Sequence, residues 1–165
     1  HRKVLPGLGG WLMKSVIAAM HGYCIGMGMS LAIHCDLRLA STNAVIGYPE
    51  VKHGMISAIS ALRLPELISS ARAMELLLLA KNINAEQAER IGLVNALVAD
   101  VHAEAEHWAT ILAGYSTAAL QATKRLATFT RRHSEAERAE VEAVRAWVES
   151  QPDYKRGAAA FAQKE

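Results

Sequence analysis

An uncharged run near the start of the sequence constrains the fold more than any other feature. Residues 15–35 contain no Asp, Glu, Lys or Arg, and the run is about as long as a membrane-spanning helix. Its interior carries His21, Gly22, Gly26 and His34, which place polar groups and flexible joints where a lipid-facing helix needs continuous apolar surface. The sequence therefore predicts short buried elements of a globular core, and no membrane span.

Short apolar runs separated by turn residues predict a sheet in the first hundred residues. The run SVIAAM stops at a His-Gly pair, as a buried strand bounded by a turn does. Closely spaced glycines over residues 22–28 predict a loop, and the apolar residues that follow predict a short helix over 29–35. Strands are predicted over residues 15–20, 37–40, 45–48 and 93–98.

Helical patterns dominate from about residue 58 onwards. Asn84 with Gln87 and Ser134 with Glu137 have the spacing of capping boxes, so each pair predicts the start of a helix. Helices are predicted over residues 71–80, 84–92, 101–114, 116–132 and 135–149, with a short one near Pro152. Strands mixed with helices, followed by helices alone, indicate an α/β class with a helical C-terminal part.

Composition excludes several classes of protein. Hydrophobic residues make up 52% of the chain and charged residues 21%, which excludes disorder for most of its length. The net charge is only +2 and the basic residues are scattered, so we expect no nucleic-acid surface. Cys24 and Cys35 lie in apolar stretches and are too few for a disulfide scaffold. We therefore expect free thiols and a reducing, cytoplasmic setting.

A first candidate site is a variant of the dinucleotide-binding fingerprint. Gly26 and Gly28 have the spacing of its first two glycines, and Glu50 follows at about the distance of the ribose-binding carboxylate, about 20 residues. The third glycine is replaced by Leu31, and the predicted strand ends well before Gly26. These two departures argue against a dinucleotide site.

A second candidate is a serine hydrolase. Gly28, Ser30 and Ala32 resemble a nucleophile elbow between a strand and a helix, and Asp100 and His102 follow in the hydrolase chain order. A serine among small helical residues also commonly packs or caps. Both interpretations of Ser30 remain open on the residues alone.

A third candidate is a metal site. His21, Cys24, His34 and Cys35 are chemically suitable ligands, but their spacing matches no familiar zinc pattern. We therefore expect buried thiols and partnered histidines, with no bound metal.

A fourth candidate is an oxyanion site beside a carboxylate. The glycine-spaced loop leads into a predicted helix, whose first backbone N–H groups could hold an oxyanion. Glu50 follows a predicted strand and could move protons there. A Pro-Glu pair after a strand is also common in solvated turns, so the residues alone do not decide.

Two segments resemble a known family. The run SVIAAMHGYCIGMGMSLAIHCDLRLASTNAVIGYPEVKHGM, residues 15–55, resembles the signature region of the enoyl-CoA hydratase/isomerase (crotonase) family. IGLVNALV, residues 91–98, is similar to a second family segment. The resemblance implies an α/β crotonase (ClpP-like) fold that lacks its first strands here. Residues 1–100 would form part of the core, and residues 101–165 a helical trimerisation region.

The resemblance also implies roles for individual residues. Family members bind acyl-CoA thioesters and hold the enolate oxygen with two backbone N–H groups, one of which corresponds to Met27. The acid/base glutamate corresponds to Glu50. Phe161 and Lys164 correspond to CoA contacts, and coenzyme A is part of the substrate, so no separate cofactor is expected. The expected assembly is a homotrimer or a dimer of trimers.

The sequence departs from the family pattern at three places. A second hydratase glutamate corresponds to Ser30, whose hydroxyl is too weak an acid or base to share proton transfer. The glycine-rich stretch after the Pro-Glu pair reads SAISA over residues 57–61, which would reshape the acyl pocket. The family's upstream segment, which holds the other oxyanion N–H, has no counterpart in this sequence, so the chain alone is expected to be nearly inactive.

The sequence thus predicts an acyl-CoA-processing enzyme of hydratase/isomerase type. Glu50 would be the acid/base, and the N–H of Met27 would be one oxyanion donor. One carboxylate is enough to move a proton between two carbons of an enoyl thioester, so isomerisation survives the loss at Ser30 better than hydration does. The alternatives are a catalytically silent scaffold of the same fold and a hydrolase that uses Ser30.

Overall fold

Two small sheets form the framework that the first hundred residues build. A computed structural model describes residues 13–128 and 134–154, together with residues 156 and 159. Its strands are β1 (Ile17–Met20), β2 (Tyr23–Ile25), β3 (Leu37–Ser41), β4 (Val45–Gly47), β5 (Ile83–Asn84) and β6 (Ala96–Val98). One sheet has the order β1-β3-β6 and is parallel throughout. The other has the order β2-β4-β5, with β2 parallel and β5 antiparallel to β4.

Strand β3 is the buried centre of the parallel sheet. Every residue of β3 after Leu37 is buried, as expected for a parallel strand that is covered on both faces. Its one charged residue, Arg38, is satisfied by backbone oxygens: Nε donates to the Leu93 carbonyl at 2.8 Å and Nη1 to the Cys35 carbonyl at 2.8 Å. A buried guanidinium is tolerated because such acceptors replace its lost hydration.

Strand β6 is shorter than the sequence predicted, because Asn95, the residue before it, bonds to Arg38 of β3 partly through its side chain. The backbone N–H of Arg38 donates to the Asn95 side chain, and the N–H of Asn95 donates to the Arg38 carbonyl, both at 2.8 Å. These bonds, together with the bond from the Arg38 guanidinium to the Leu93 carbonyl, replace strand pairing over residues 93–95. The predicted strand over 93–98 is therefore confirmed only from Ala96 onwards.

Helices surround the sheets and make up all the elements described after residue 100. They are α1 (Met27–Ala32), α2 (Ala58–Leu67), α3 (Ser70–Leu79), α4 (Ala85–Arg90), α5 (Val101–Ala113), α6 (Thr117–Ala127) and α7 (Glu135–Ser150), with a short 3-10 helix at Glu50–His53. Both predicted capping boxes are confirmed: Asn84 with Gln87 opens α4, and Ser134 with Glu137 opens α7.

The predicted loop over residues 22–28 is wrong. Strand β2 lies within it, between Gly22 and Gly26, which both have a positive φ of 56°. Helix α1 then begins at Met27 and ends at Ala32, earlier than the predicted 29–35. The two glycines provide the sharp turns that separate three short elements, and this spacing looks like a continuous loop in the sequence.

The core lies between the sheets and the first four helices. Its largest fully buried side chains are Met29, Ile33, Leu39, Ile46, Tyr48, Leu64 and Leu93. The uncharged run over residues 15–35 is divided into short elements, as the sequence predicted, but β2 among them was not predicted. Within the described residues no helix is both long and apolar enough to cross a membrane.

Candidate active site

Parallel pairing of β2 and β4 brings two distant segments together. Ile25, the last residue of β2, lies opposite Gly47, the last residue of β4. The pairing continues one step further, because the N–H of Gly26 donates to the Gly47 carbonyl at 2.9 Å. Because parallel strands end at the same edge, the turn into α1 and the segment leading to Glu50 emerge side by side.

Gly26 is the one position of the Gly-Met-Gly turn that requires glycine. Its φ of 56° and ψ of −121° belong to a region that other residues avoid. A Cβ at this position would also lie 3.4 Å from Oε1 of Glu50. Neither Met27 nor Gly28 has a positive φ, so a side chain is tolerated at both.

Glu50 begins the 3-10 helix and points one carboxylate oxygen into the protein. Its Oε2 atom is buried and has no hydrogen-bond partner among the described residues. Gly54 follows the helix, and a Cβ there would lie 2.7 Å from the carbonyl carbon of Asp153. The backbone after α7 therefore packs directly against the end of the helix that carries Glu50.

Met27 is the first residue of α1, directly after Gly26. The first N–H groups of a helix have no partner within it, and no side chain caps α1. The Met27 side chain is 65% exposed and therefore does not pack into the core. The N–H of Met27 thus directly follows Gly26, whose Cβ position would lie against Glu50.

Ser30 is held by oxygens of its surroundings rather than by an imidazole. Its Oγ donates to the Gly26 carbonyl at 3.1 Å and lies 2.7 Å from Oγ of Ser60. The ring of His34 donates to the carbonyl of Ser30, at 2.7 Å, and not to its hydroxyl. Ser30 and Ser60 are 5% and 0% exposed, so this serine is not positioned as an accessible nucleophile.

The other members of the predicted hydrolase triad have separate roles. Asp100 caps α5, because its Oδ1 accepts the N–H groups of His102 and Ala103 at 3.0 Å. The ring of His102 packs against that of His21, with 5.2 Å between their centroids. The hydrolase interpretation of Ser30 therefore finds no support.

The thiols are free and protonated at neutral pH. Burial, followed by the proximity of Cys35, raises the pKa of Cys24 to about 11, and burial also raises the pKa of Cys35. Across the described ranges, no three His, Cys, Asp or Glu side chains converge as metal ligands would. His21, Cys24, His34 and Cys35 are thus not brought together as a site.

Comparison with known proteins decides the family. The family model described as enoyl-CoA hydratase/isomerase matches residues 12–165. The chain belongs to the enoyl-CoA hydratase/isomerase family. The fold predicted from residues 15–55 and 91–98 is thereby confirmed.

Curated relatives of this family member include two bacterial hydratases. It is 40% identical over 130 residues to the (E)-benzylidenesuccinyl-CoA hydratase of Thauera aromatica, a match covering 75% of this chain and 49% of the relative. It is 44% identical over 88 residues to the short-chain-enoyl-CoA hydratase of Clostridium acetobutylicum, covering 53% and 34%. The chain thus spans about half or less of the length of these relatives.

Solved structures of the family share the fold. The carnitinyl-CoA hydratase of Mycobacterium avium matches with a TM-score of 0.84 and 30% identity, over 94% of this chain and 62% of that one. An enoyl-CoA hydratase homologue from Streptomyces avermitilis matches with a TM-score of 0.86 and 27% identity, over 96% and 58%. The arrangement of strands and helices is therefore that of the crotonase fold.

Two of the site residues predicted for this family member lie outside the described residues. Phe161 and Lys164, predicted as CoA contacts, are not among the described residues.

Tyr48 is a feature of the site that the sequence analysis missed, because it was predicted only as part of a strand. Its buried hydroxyl has no hydrogen-bond partner among the described residues, and burial raises its pKa, with Ser60 opposing and Glu50 adding to the rise. A polar residue at the end of an apolar strand was the available signal.

Proposed function

We propose that a protein carrying this chain acts on enoyl-CoA thioesters, with Glu50 as its acid/base and the N–H of Met27 as one of its oxyanion donors. Coenzyme A enters as part of the substrate, and the proposed chemistry requires no other cofactor. The second oxyanion donor is expected from the segment that family members carry upstream of this region.

The observation that carries this proposal is the buried Oε2 atom of Glu50. A carboxylate oxygen withdrawn from water without a partner costs free energy, so native proteins rarely keep one without a use. The other oxygen, Oε1, lies 3.4 Å from where a Cβ of Gly26 would be, and the N–H of Met27 follows Gly26 in the chain. An enolate oxygen bound at that N–H would place the carbons that exchange protons close to Glu50.

One carboxylate can carry out isomerisation. The thioester oxygen of a 3-enoyl-CoA accepts a hydrogen bond from Met27, and Glu50 removes a proton from C2. The electron pair spreads into a dienolate, whose charge the N–H stabilises. The protonated Glu50 then returns the proton to C4, and a 2-enoyl-CoA leaves with no net change in charge.

Hydration requires an activated water molecule as well as a proton donor. Ser30 stands where the family resemblance places a second glutamate, and its hydroxyl is engaged by Gly26 and Ser60. A serine with these contacts is not available to activate water at neutral pH. We therefore propose that isomerisation exceeds hydration in this protein.

The experiment compares Glu50→Gln with wild type in the natural-length protein. A short 3-enoyl-CoA and crotonyl-CoA serve as substrates, and the absorbance of the conjugated thioester reports turnover. Loss of the proton shuttle is expected to lower kcat by at least about a hundredfold while the fold is kept. Glu75→Gln removes a carboxylate from the exposed face of α3 and serves as the matched control. Activity of Glu50→Gln within about twofold of wild type would refute the role of Glu50.

We further propose that the helices after residue 100 assemble a homotrimer or a dimer of trimers. Leu126 on α6 is 73% exposed, and on α7 Val144 and Trp147 are 41% and 64% exposed. Apolar side chains so exposed on two successive helices favour burial against a second copy. Free Cys24 and Cys35 favour a cytoplasmic location.

A further inference from the structure

Ser30 and Ser60 form a buried pair of hydroxyls, which the chemistry proposed for Glu50 does not use. Both side chains are almost fully enclosed, and their Oγ atoms are 2.7 Å apart. Ser30 belongs to α1 and Ser60 to α2, so the contact joins two helices across the core. A polar pair in such a place is normally kept for a structural or functional reason.

The direction of the hydrogen bonds follows from the Gly26 carbonyl. A carbonyl oxygen only accepts, so the contact of 3.1 Å between Gly26 and Ser30 Oγ uses the single hydroxyl hydrogen of Ser30. The bond between the two hydroxyls then uses the hydrogen of Ser60. The chain therefore runs from Ser60 through Ser30 to the carbonyl of Gly26.

The Gly26 carbonyl receives a second bond from the same residue. The backbone N–H of Ser30 donates to it at 2.9 Å, in the first turn of α1. Two donors on one oxygen hold the plane of that amide and draw electron density towards the oxygen. The amide nitrogen becomes correspondingly more positive.

That nitrogen is the N–H of Met27, because the Gly26 carbonyl and the Met27 N–H belong to one peptide group. Gly26 sets the plane of this group through its ψ of −121°, and Ser30 holds its oxygen end. The hydrogen bonds at the carbonyl oxygen therefore orient the N–H at the opposite side of the peptide group, where the enolate is proposed to bind. A glutamate side chain in place of Ser30 would carry no hydroxyl hydrogen to donate when ionised.

We infer that Ser30, supported by Ser60, is a positioning residue that orients and polarises the Gly26–Met27 peptide and so strengthens the Met27 N–H as an oxyanion donor. This inference rests on the proposed function of Met27. It gives Ser30 a role that needs no proton transfer, in place of the acid/base role that a carboxylate would have there.

The test is a vibrational measurement on the natural-length protein. Crotonyl-CoA labelled with carbon-13 at the thioester carbonyl is bound to wild type, and its carbonyl stretch is measured by difference infrared spectroscopy. A lower frequency than in free crotonyl-CoA reports hydrogen bonding to the thioester oxygen. Ser30→Ala is expected to lose part of this shift. Its kcat is expected to fall about two- to eightfold, with KM within about twofold of wild type. The pH profile of kcat is expected to stay unchanged.

Two further variants separate a specific effect from a structural one. Ser60→Ala leaves Ser30 bonded to Gly26 and is expected to lose a smaller part of the shift in the same direction. If Ser30→Ala does not fold, the carbonyl shift of Ser60→Ala tests the inference instead. Ser41→Ala removes another buried serine, one that donates to Asn43, and is expected to leave both the shift and kcat unchanged.

The outcomes distinguish the inference from the proposed function. A wild-type shift that Ser30→Ala and Ser60→Ala both retain in full would overturn the inference, while the Met27 donor and Glu50 would stand. Absence of any shift in wild type would overturn the Met27 donor and the inference together. A changed pH profile in Ser30→Ala would assign Ser30 to proton transfer instead and would also overturn it.

Discussion

Gly26 lies directly beside Glu50: a Cβ on Gly26 would be 3.4 Å from the Oε1 atom of Glu50, within ordinary van der Waals contact. The same glycine has a φ of 56° and directs the chain from β2 into α1. The conformation of one residue therefore sets the start of α1 at a point beside the Glu50 carboxylate.

Gly26→Ala is expected to destabilise the protein and to disturb the site at once. Alanine in this conformation costs roughly 1–3 kcal/mol, and relief of that strain would rotate the Gly26–Met27 peptide. Urea unfolding measures the first effect, and kcat on a 3-enoyl-CoA, expected to fall at least about tenfold, measures the second.

Gly28→Ala provides the matched control for this prediction. Gly28 has no positive φ, lies inside α1, and a Cβ there would meet nothing within 4 Å. Alanine is favoured over glycine in a helix by up to about 1 kcal/mol, so this variant is expected to be as stable as wild type or more stable. Equal losses in the two variants would show that Gly26 has no special conformational role.

The sequence predicts those parts of the fold whose signals are local. The capping box of Asn84 with Gln87 spans four residues, and its side chains satisfy backbone groups of the same turn, so no tertiary information is needed. Strand β2 has only three residues, and β5 only two. Such strands exist because of their neighbours in the sheet, and their own residues contain too little periodicity to indicate them.

The candidate site is predictable from its signature residues but not from its interior contacts. Met27 and Glu50 lie in segments whose residue order resembles the family. Ser60 is 30 residues from its partner Ser30, in a stretch that departs from the family pattern. Tyr48 is buried against Ser60 and Glu50 only after the sheet and α2 have packed. No local pattern indicates which hydroxyls will meet.

A second prediction concerns the ion pair between Lys124 and Asp36. Lys124 Nζ lies 2.6 Å from Asp36 Oδ2 and also donates to the Lys14 carbonyl at 2.7 Å, while the same Oδ2 accepts the N–H of Val16 at 2.8 Å. The side chains are 18% and 26% exposed. The pair thus fastens α6 to the backbone before β1 and β3.

Asp36→Asn is expected to lower the free energy of unfolding by about 1–3 kcal/mol, because it leaves a half-buried ammonium group without its counter-ion. Glu75→Gln breaks an ion pair with Arg72 whose side chains are 46% and 58% exposed, and is expected to cost less than about 0.5 kcal/mol. Urea unfolding of both variants checks the difference. Equal costs would show that Lys124 gains nothing from its partial burial.

A third prediction follows from the raised pKa of Cys24, which lies at about 11 against an ordinary 9.0. Between these values the unfolded chain releases the thiol proton and the folded protein keeps it, so the free energy of unfolding falls as pH rises. Below pH 9 both states hold the proton and the thiol adds no pH dependence.

The measurement compares wild type with Cys24→Ala in urea at several values between pH 8 and 11. The fall in unfolding free energy is expected to be shallower in the variant, because it lacks the thiol. The pKa of Tyr48 is also raised, mainly by burial and only in small part by Cys24, so most of the Tyr48 contribution is common to both proteins. Parallel curves would mean that Cys24 is not withdrawn from water as the structure indicates.

The last prediction concerns assembly through α7. Val144 and Trp147 lie one turn apart on this helix and are both exposed, and Val141 and Val148 flank them half-buried. Four apolar side chains at helical spacing form a stripe that favours contact with another copy.

Val144→Glu places a charge in that stripe and is expected to shift the assembly towards smaller species in light scattering. Ala146→Glu introduces the same charge about half a turn away and is expected to leave the assembly unchanged. A wild-type protein that is monomeric at all concentrations, or equal dissociation of both variants, would show that this stripe does not mediate self-association.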